Sequence, residues 1–271
     1  MQPTISYTHA EYTHSPLHHT LTMYVGSSIC CFAVLDAEQV VQVLQKYTLP
    51  HNDIVALINF FNNNTYLQQQ YNHTSIAYST EHSTLVPNAY YNYDLLHTYL
   101  NVQYGDLHQA KAFSDNVPNL KAHLIYRINK ELVRTTIRKF VTATTCHIQS
   151  KMLQYNEPTT TSTTLQVLYL EDCVVAALYT GTQLQCSKTL AVTNNDTLTY
   201  QLLHMCQAYD VHVDEVVVQL SGWLIIHSPL YNALYKYFTH IQFMQDVELT
   251  TPNDVAYEKH FFTLFQLIAK N

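Results

Sequence analysis

The sequence predicts an α/β protein built from two similar halves. Three observations carry this. Leu165–Ala191 (LQVLYLEDCVVAALYTGTQLQCSKTLA) reads as three antiparallel strands joined by two tight turns, with a helix directly after it. The same order of elements occurs at Leu21–Leu49. Between the two lies Tyr155–Thr164 (YNEPTTTSTT), which has no apolar residue after Tyr155 and reads as a connector. The expected organisation is an N-terminal arm at 1–20, a first half at 21–154, a linker at 155–164 and a second half at 165–271.

The arm is polar and rich in histidine (His9, His14, His18, His19), and it suits an extended tail or an edge strand. Solvated histidines are the plain reading there, because the spacing supplies no rigid frame for a metal. Leu21–Val25 is the first strand and Gly26-Ser27-Ser28 its turn. Ile29–Leu35 (ICCFAVL) is apolar throughout, as a strand buried on both faces should be. Asp36-Ala37 turns again into a third strand at Gln39–Tyr47. Asn52 or Asp53 caps a helix whose apolar residues Ile54, Leu57, Ile58 and Phe61 fall on one face. A strand at Thr74–Ser79 follows, then Leu85-Val86-Pro87 leads into a helix over Ala89–Leu100. Lys121–Lys139 holds a strand (HLIYRI) and a helix (NKELVRTTIRK).

In the second half, Val167–Leu170 and Val174–Thr180 flank the turn Glu171-Asp172-Cys173, and Gly181-Thr182 turns into Gln183–Ala191. Asn195-Asp196 caps a helix carrying Leu198, Leu202, Met205 and Tyr209. Glu215–Leu220 is the next strand, broken by Ser221-Gly222-Trp223. Pro229 then opens a helix, where its fixed φ and missing N–H are tolerated. The segment EKHFFTLFQLIAK is expected to pack on the sheet of the second half. The offset between halves stays nearly constant from Gly26/Glu171 and Ile29/Val174 through Asn52-Asp53/Asn195-Asp196 to Pro87/Pro229, which points to internal duplication.

Composition narrows the function classes. Of 271 residues, 47% are hydrophobic and 12% charged, about half the ~25% charged share of an average domain. A formal charge of −7 argues against broad nucleic-acid binding. No apolar run nears the ~20 residues a membrane span needs, and the first residues lack a signal-peptide pattern. Six cysteines without a C-x-x-C pair suit a reduced, cytoplasmic setting. Only four glycines occur, where average usage of ~7% gives about nineteen. A glycine-rich phosphate loop therefore cannot be assembled.

The stretches LTMYVGSSICCFAVLD, STLVPNAYY (83–91) and VVVQLSGWLIIHSPLYNALYKYF (216–238) resemble a family of Bacteroidetes proteins of unknown function. The resemblance covers nearly the whole chain after residue 20. It implies a duplicated, reduced actin-like ATPase (ribonuclease H-like) fold with two β-β-β-α-β-α halves, similar in outline to the pilus-assembly PilM proteins. Active members of that superfamily carry D-x-G-[ST] in the first hairpin turn. The matching positions here are Tyr24-Val25-Gly26-Ser27-Ser28, so a phenol stands where a metal-holding carboxylate belongs. The second turn offers Glu171 and Asp172, which repel phosphate. The adenosine turn, Leu220-Ser221-Gly222-Trp223, keeps one small glycine and adds an indole.

The resemblance thus implies a pseudo-ATPase, a non-catalytic binding or scaffold protein with no cofactor and an unidentified protein partner. Assembly into dimers or filaments, as actin relatives do, is a further expectation. The alternative is a divergent ATP- and Mg²⁺-responsive protein using Gly26, Ser27, Ser28, Ser221 and Gly222. Other chemistry has little footing. No converging acids suit a two-metal nuclease, and no G-x-S-x-G elbow exposes a serine. Lys130, Arg134 and Arg138, four apart and flanked by Arg127 and Lys139, form a basic stripe suited to an anionic partner or simply to solvent. Tyr90, Tyr91 and Tyr93, with Tyr231, Tyr235 and Tyr237, are candidate cleft-lining or packing aromatics.

Overall fold

Strand-forming runs bounded by short turns lay down the first sheet, and a computed structural model shows how they pair. It describes residues 2–10, 12, 15–155, 162–244 and 259–270. The arm contributes β1 (Ile5–Thr8), an edge strand; His14 lies outside the described residues. Strands β2 (Thr20–Val25), β3 (Ile29–Leu35) and β4 (Val41–Thr48) form the expected antiparallel hairpins. Helix α1 (Ile54–Asn63) is capped by Asp53, whose carboxylate accepts from the Ala56 N–H at 3.0 Å. Its buried face is Leu57, Phe60 and Phe61, while Ile58 is turned partly to solvent, a rotation from the expected stripe. Strand β5 (His73–Tyr78) then pairs parallel with β2.

An insertion follows that the sequence pattern did not foretell. Strands β6 (Ser83–Pro87), β7 (Ala110–Val117) and β8 (Ala122–Asn129) make a separate three-stranded antiparallel sheet. Helix α2 (Leu96–Tyr104) packs on it, starting seven residues after the predicted Ala89 and preceded by two short 3-10 turns. The chain returns through α3 (Lys130–Lys139), capped by Asn129, to β9 (Thr144–His147), which adds parallel to β5. Helix α4 (Ile148–Tyr155) completes this half.

Of the predicted linker, Tyr155 belongs to α4 and Thr163-Thr164 open β10 (Thr163–Tyr169), while 156–161 lie outside the described residues. Strands β11 (Cys173–Thr180) and β12 (Gln183–Ala191) follow with the predicted turns. Helix α5 (Asn195–Gln207) is capped by Asn194, one residue earlier than expected, and ends before Tyr209, which is solvent-facing. Strand β13 (Val216–Gly222) continues through Ser221 and Gly222. Helix α6 (Pro229–Tyr235) carries Pro229 in its first turn under a Ser228 cap. Strand β14 (His240–Phe243) and helix α7 (Thr263–Ala269) end the described chain.

The sheet orders are β1-β4-β3-β2-β5-β9 and β12-β11-β10-β13-β14. Strands β4-β3-β2-β5-β9 therefore repeat as β12-β11-β10-β13-β14, with the same parallel and antiparallel pairings. This places α3 opposite α6, since each crosses between parallel strands. Pro87, aligned with Pro229 by sequence, instead ends a strand of the insertion.

Alternation along the second sheet splits its side chains between two cores. Leu165, Val167, Val174 and Ala176 join α5 and α6 in one cluster. Leu168, Cys173, Val175 and Ala177 join the first half, with α4 and α7, in the other. Helix α7 was expected on the sheet of the second half. It contacts β13 but also β2, β5 and α4, because its apolar residues surround the whole helix and need a partner on every side.

Candidate functional site

The turn between β2 and β3 is pinned by its own backbone. The Gly26 N–H donates to the Ile29 carbonyl at 2.8 Å, and the Ser27 and Ser28 carbonyls accept from Asn52 and Leu49, each at 2.7 Å. This leaves the Ser28 N–H and the Ser27 hydroxyl facing outward, a concave donor set of the kind that binds anions. The anion they face is Asp172, from the β10–β11 turn of the other half. Its Oδ2 accepts from Ser27 Oγ and from the Ser28 N–H, both at 3.2 Å. Its Oδ1 accepts from the Tyr24 hydroxyl at 2.9 Å.

The carboxylate comes so close to Gly26 that a Cβ there would sit 2.1 Å from Asp172 Oδ2, so a larger residue would push the carboxylate off the turn. Tyr24 is fully buried, and its hydroxyl also meets Ser79 Oγ at 2.7 Å and Cys173 Sγ at 3.3 Å. Burial first, then the Asp172 charge, hold its phenol well above the usual range, so it stays protonated and donates. The Cys173 thiol is pushed up for the same two reasons.

Glu171 beside it adopts φ 71°, the left-handed conformation that glycine would take in such a turn. Its carboxylate pairs with Lys46 of β4, whose side chain is 5% exposed. The Lys46 ammonium also lies 5.2 Å from the Trp223 ring centroid. Further polar bridges cross between halves. Glu81 accepts from the Ala191 N–H at 2.6 Å. Gln149 accepts from Ser83 at 2.7 Å and Thr189 at 3.2 Å and donates to Ser187 at 3.0 Å.

The other predicted nucleotide positions are turned to packing. Ser221 is 2% exposed and its hydroxyl points to the Val167 carbonyl at 3.4 Å. Gly222 has φ 85°, and a Cβ on it would lie 2.1 Å from the Tyr169 carbonyl oxygen. That carbonyl instead accepts from the Trp223 N–H at 2.9 Å. At the Gly26 turn the Asp172 carboxylate takes the outward donors, and a buried neutral phenol stands where the superfamily's metal-holding acid would. Among the described residues no three His, Cys, Asp or Glu side chains group as metal ligands.

The basic stripe divides. Arg127 is 3% exposed and holds the end of α2 by bonding the Tyr104 and Gly105 carbonyls. Lys130 donates to the His108 carbonyl at 2.7 Å, and Arg134 pairs with Glu131 at 3.2 Å. Arg138 and Lys139 line the seam between α3 and α1. The tyrosine groups occupy unlike places: Tyr90, Tyr91 and Tyr93 precede α2 in the insertion, with Tyr91 stacked on His123 at 3.6 Å. Tyr231 and Tyr235 stack on α6 at 5.9 Å. Sequence reasoning flagged both acids of the second turn and Tyr24, but not that Tyr24 bonds Asp172, and it missed Lys46. The usable signal was a pair of acids standing opposite a Gly-Ser-Ser turn with one carboxylate too many for phosphate. Nothing local marked Glu81 or Gln149.

Solved structures share this architecture. One from Bacteroides thetaiotaomicron, described as having an actin-like ATPase fold and unknown function, superposes with a TM-score of 0.75 at 14% identity, over 84% of this chain and 91% of that one. The PilM–PilN type IV pilus biogenesis complex gives 0.63 at 9% identity, over 93% and 98%. The ethanolamine utilization protein EutJ from Carboxydothermus hydrogenoformans gives 0.50 at 8% identity, over 94% and 90%. The fold is that of the actin-like ATPases. No curated protein matches the chain. Residues 11–241 match the family described as protein of unknown function (DUF3822), and the chain belongs to that family.

Proposed function

We infer that this protein is a non-catalytic binding or scaffold protein that keeps the actin-like frame and closes its nucleotide cleft with its own side chains. The observation that carries this reading is the Asp172 carboxylate seated on Ser27 and Ser28, bonded to Tyr24 and tight against Gly26. A phosphate entering the turn would have to displace a covalently tethered anion and would meet Glu171 beside it. Charge-assisted hydrogen bonds to a carboxylate are also about twice as strong as neutral ones, so displacement is costly. A protein partner is supported by the PilM–PilN structure, in which a protein of this fold is part of a complex. No helix among the described residues is long and apolar enough to cross a membrane.

The test is thermal unfolding with and without ATP or ADP and Mg²⁺, paired with a phosphate-release assay. A ligand binding only the native state at 100 times its Kd adds ~2.7 kcal/mol, a shift of a few degrees for a chain of this length. The expected result is no shift at millimolar nucleotide and no phosphate release. Turnover, or a clear shift, would overturn the reading in favour of a divergent nucleotide-responsive protein.

A further inference from the structure

The seam between α1 and α3 is an open groove. Helix α1 (IVALINFFNN) has no charged residue; it spends Leu57, Phe60 and Phe61 on the core and leaves Val55 67% and Ile58 40% exposed. Helix α3 buries Val133 and Thr136 and leaves Ile137 45% exposed, with Val141 just beyond it 79% exposed. Two cavities lie along the seam. One, about 50 Å³, joins the N-terminal turns through Ile54, Leu57 and Leu132 with Leu49 and Pro50, and reaches the Gly26-Ser27 turn and the caps Asp53 and Asn129. The other, about 270 Å³, joins the C-terminal turns through Ile58, Phe61, Asn62, Thr135, Arg138 and Lys139. The helices therefore run side by side in the same direction, and the two cavities sit at opposite ends of a seam about 15 Å long, the rise of ten helical residues.

Charge is uneven along it. Asp53 caps α1 at one end, and Glu131 is paired with Arg134 on α3. At the other end Arg138 and Lys139 stand together, and neither pairs with a carboxylate among the described residues. In a chain with 20 acidic and 13 basic residues, the seam thus offers the apolar side chains Ile54, Leu57 and Ile58 and ends in two adjacent cations among polar neighbours.

We propose that this groove receives a short acidic, apolar-faced segment of a partner protein, about three helical turns long. This rests on the binding-protein reading and names the surface and the partner's chemistry. Aliphatic anchors fill the seam beside Ile54, Leu57 and Ile58, and a carboxylate pairs with Arg138 and Lys139; this is helix-in-groove recognition with a charge that sets orientation. RNA suits the surface poorly. Its ring, Phe61, is 1% exposed and offers no face for stacking a base, and the chain's net charge of −7 repels phosphates.

The experiment selects random peptides of about twelve residues, long enough for three helical turns, by display against the full chain. The peptides recovered are then measured by fluorescence polarisation. Peptides rich in Asp or Glu and in Leu, Ile or Phe should emerge. Arg138→Glu with Lys139→Glu, and separately Ile58→Asp, should weaken them on the order of tenfold or more. Val102→Asp, at an 85% exposed apolar site on α2, should leave binding unchanged. Affinity should also fall as salt rises, because the pole is solvent-exposed and screened. Circular dichroism and thermal unfolding confirm that each variant folds. Selected peptides that lack acids, or that bind all variants alike, would overturn the proposal. So would tighter binding of a fluorescent oligouridine through Arg138 and Lys139, or a concentration-dependent dimer abolished by the same substitutions. Nucleotide turnover, by contrast, would sink the closed-cleft reading and leave the peptide result standing.

Discussion

Asp172 spans the two halves through one side chain, and its removal separates two effects. Asp172→Ala deletes three hydrogen bonds to a charged acceptor and leaves the Ser27 hydroxyl and the Ser28 N–H facing each other's empty partner. Bonds to charged groups contribute about 1.5–3 kcal/mol each, with the Tyr24 hydroxyl still served by Ser79, so a net loss of about 2–3 kcal/mol is expected in urea unfolding. The neighbouring pair behaves asymmetrically. Glu171→Ala leaves the Lys46 ammonium inside with only the Trp223 face, whereas Lys46→Met removes the buried charge and keeps the stem's packing. Glu171→Ala should therefore be the more destabilising of the two in the same assay. His147 supplies a pH test. It is fully buried, its Nε2 accepts from the Thr80 N–H at 2.9 Å, and burial lowers its pKa to about 3. The unfolded chain binds a proton near pH 6.5 and the folded one does not, so stability falls as pH drops from 6.5 toward 3. At pH 4 the loss is about 3 kcal/mol relative to pH 7. Asp115, which accepts from the His147 N–H at 2.7 Å, is raised by burial and acts in the opposite sense. Comparing denaturation midpoints of wild type and His147→Gln across this range isolates the histidine's share: the variant should show the flatter profile. At this scale the sequence revealed the acids and the Gly-Ser-Ser turn, but not that they meet, because contact across 144 positions leaves no local trace.

Elements were legible where a single rule governed them. Ile29–Leu35 is one continuous buried run, and Gln183–Ala191 follows a Gly-Thr turn; both strands stand where the pattern puts them. The insertion was not legible as a sheet. Its strand β7 (AKAFSDNV) is polar and half exposed and presents no clean alternation; outside the insertion, β9 (TTCH) has only four residues and is equally hard to read. Pro87 misled for a physical reason: proline is as acceptable at the end of an edge strand as in the first turn of a helix. The Ser221-Gly222-Trp223 segment looked like a strand breaker, yet β13 keeps Ser221 and Gly222 and stops only before Trp223, because Gly222 admits both the left-handed φ and the Tyr169 carbonyl. Gly222→Ala adds strain and a backbone collision that no flexible side chain can relieve. A loss above about 2 kcal/mol is expected, measured as a lowered urea midpoint with an unchanged slope. A cost near zero would mean that the strand end can shift and that the turn is not a fixed part of the junction.

For the molecule as a whole, the duplication and the actin-like frame could be read from element order, but the coupling of the halves could not. That coupling comes from α7, which is apolar on too many sides for either sheet alone, from α4 packed against it, and from the polar bridges around Asp172, Glu81 and Gln149. Chains with two repeated halves commonly unfold in separate steps. Here one hydrophobic cluster includes residues of both sheets, so a single transition is expected. The only tryptophan reports on it directly. Trp223 is 7% exposed at the end of β13, with Phe261 and Phe265 at 5.6 and 6.1 Å between ring centroids and Lys46 of the first half over its face. Its fluorescence follows the junction, while far-UV circular dichroism follows all the strands and helices. The two curves should coincide in urea, and Phe265→Ala should move both by the same amount, about 3–5 kcal/mol for a fully buried phenylalanine. If the fluorescence transition came first and the dichroism kept a second step, the halves would be independent units joined by a weak contact. The cleft would then open far below the cost of global unfolding, and the seat of Asp172 on the Gly26 turn would be a gate that nucleotide could find open.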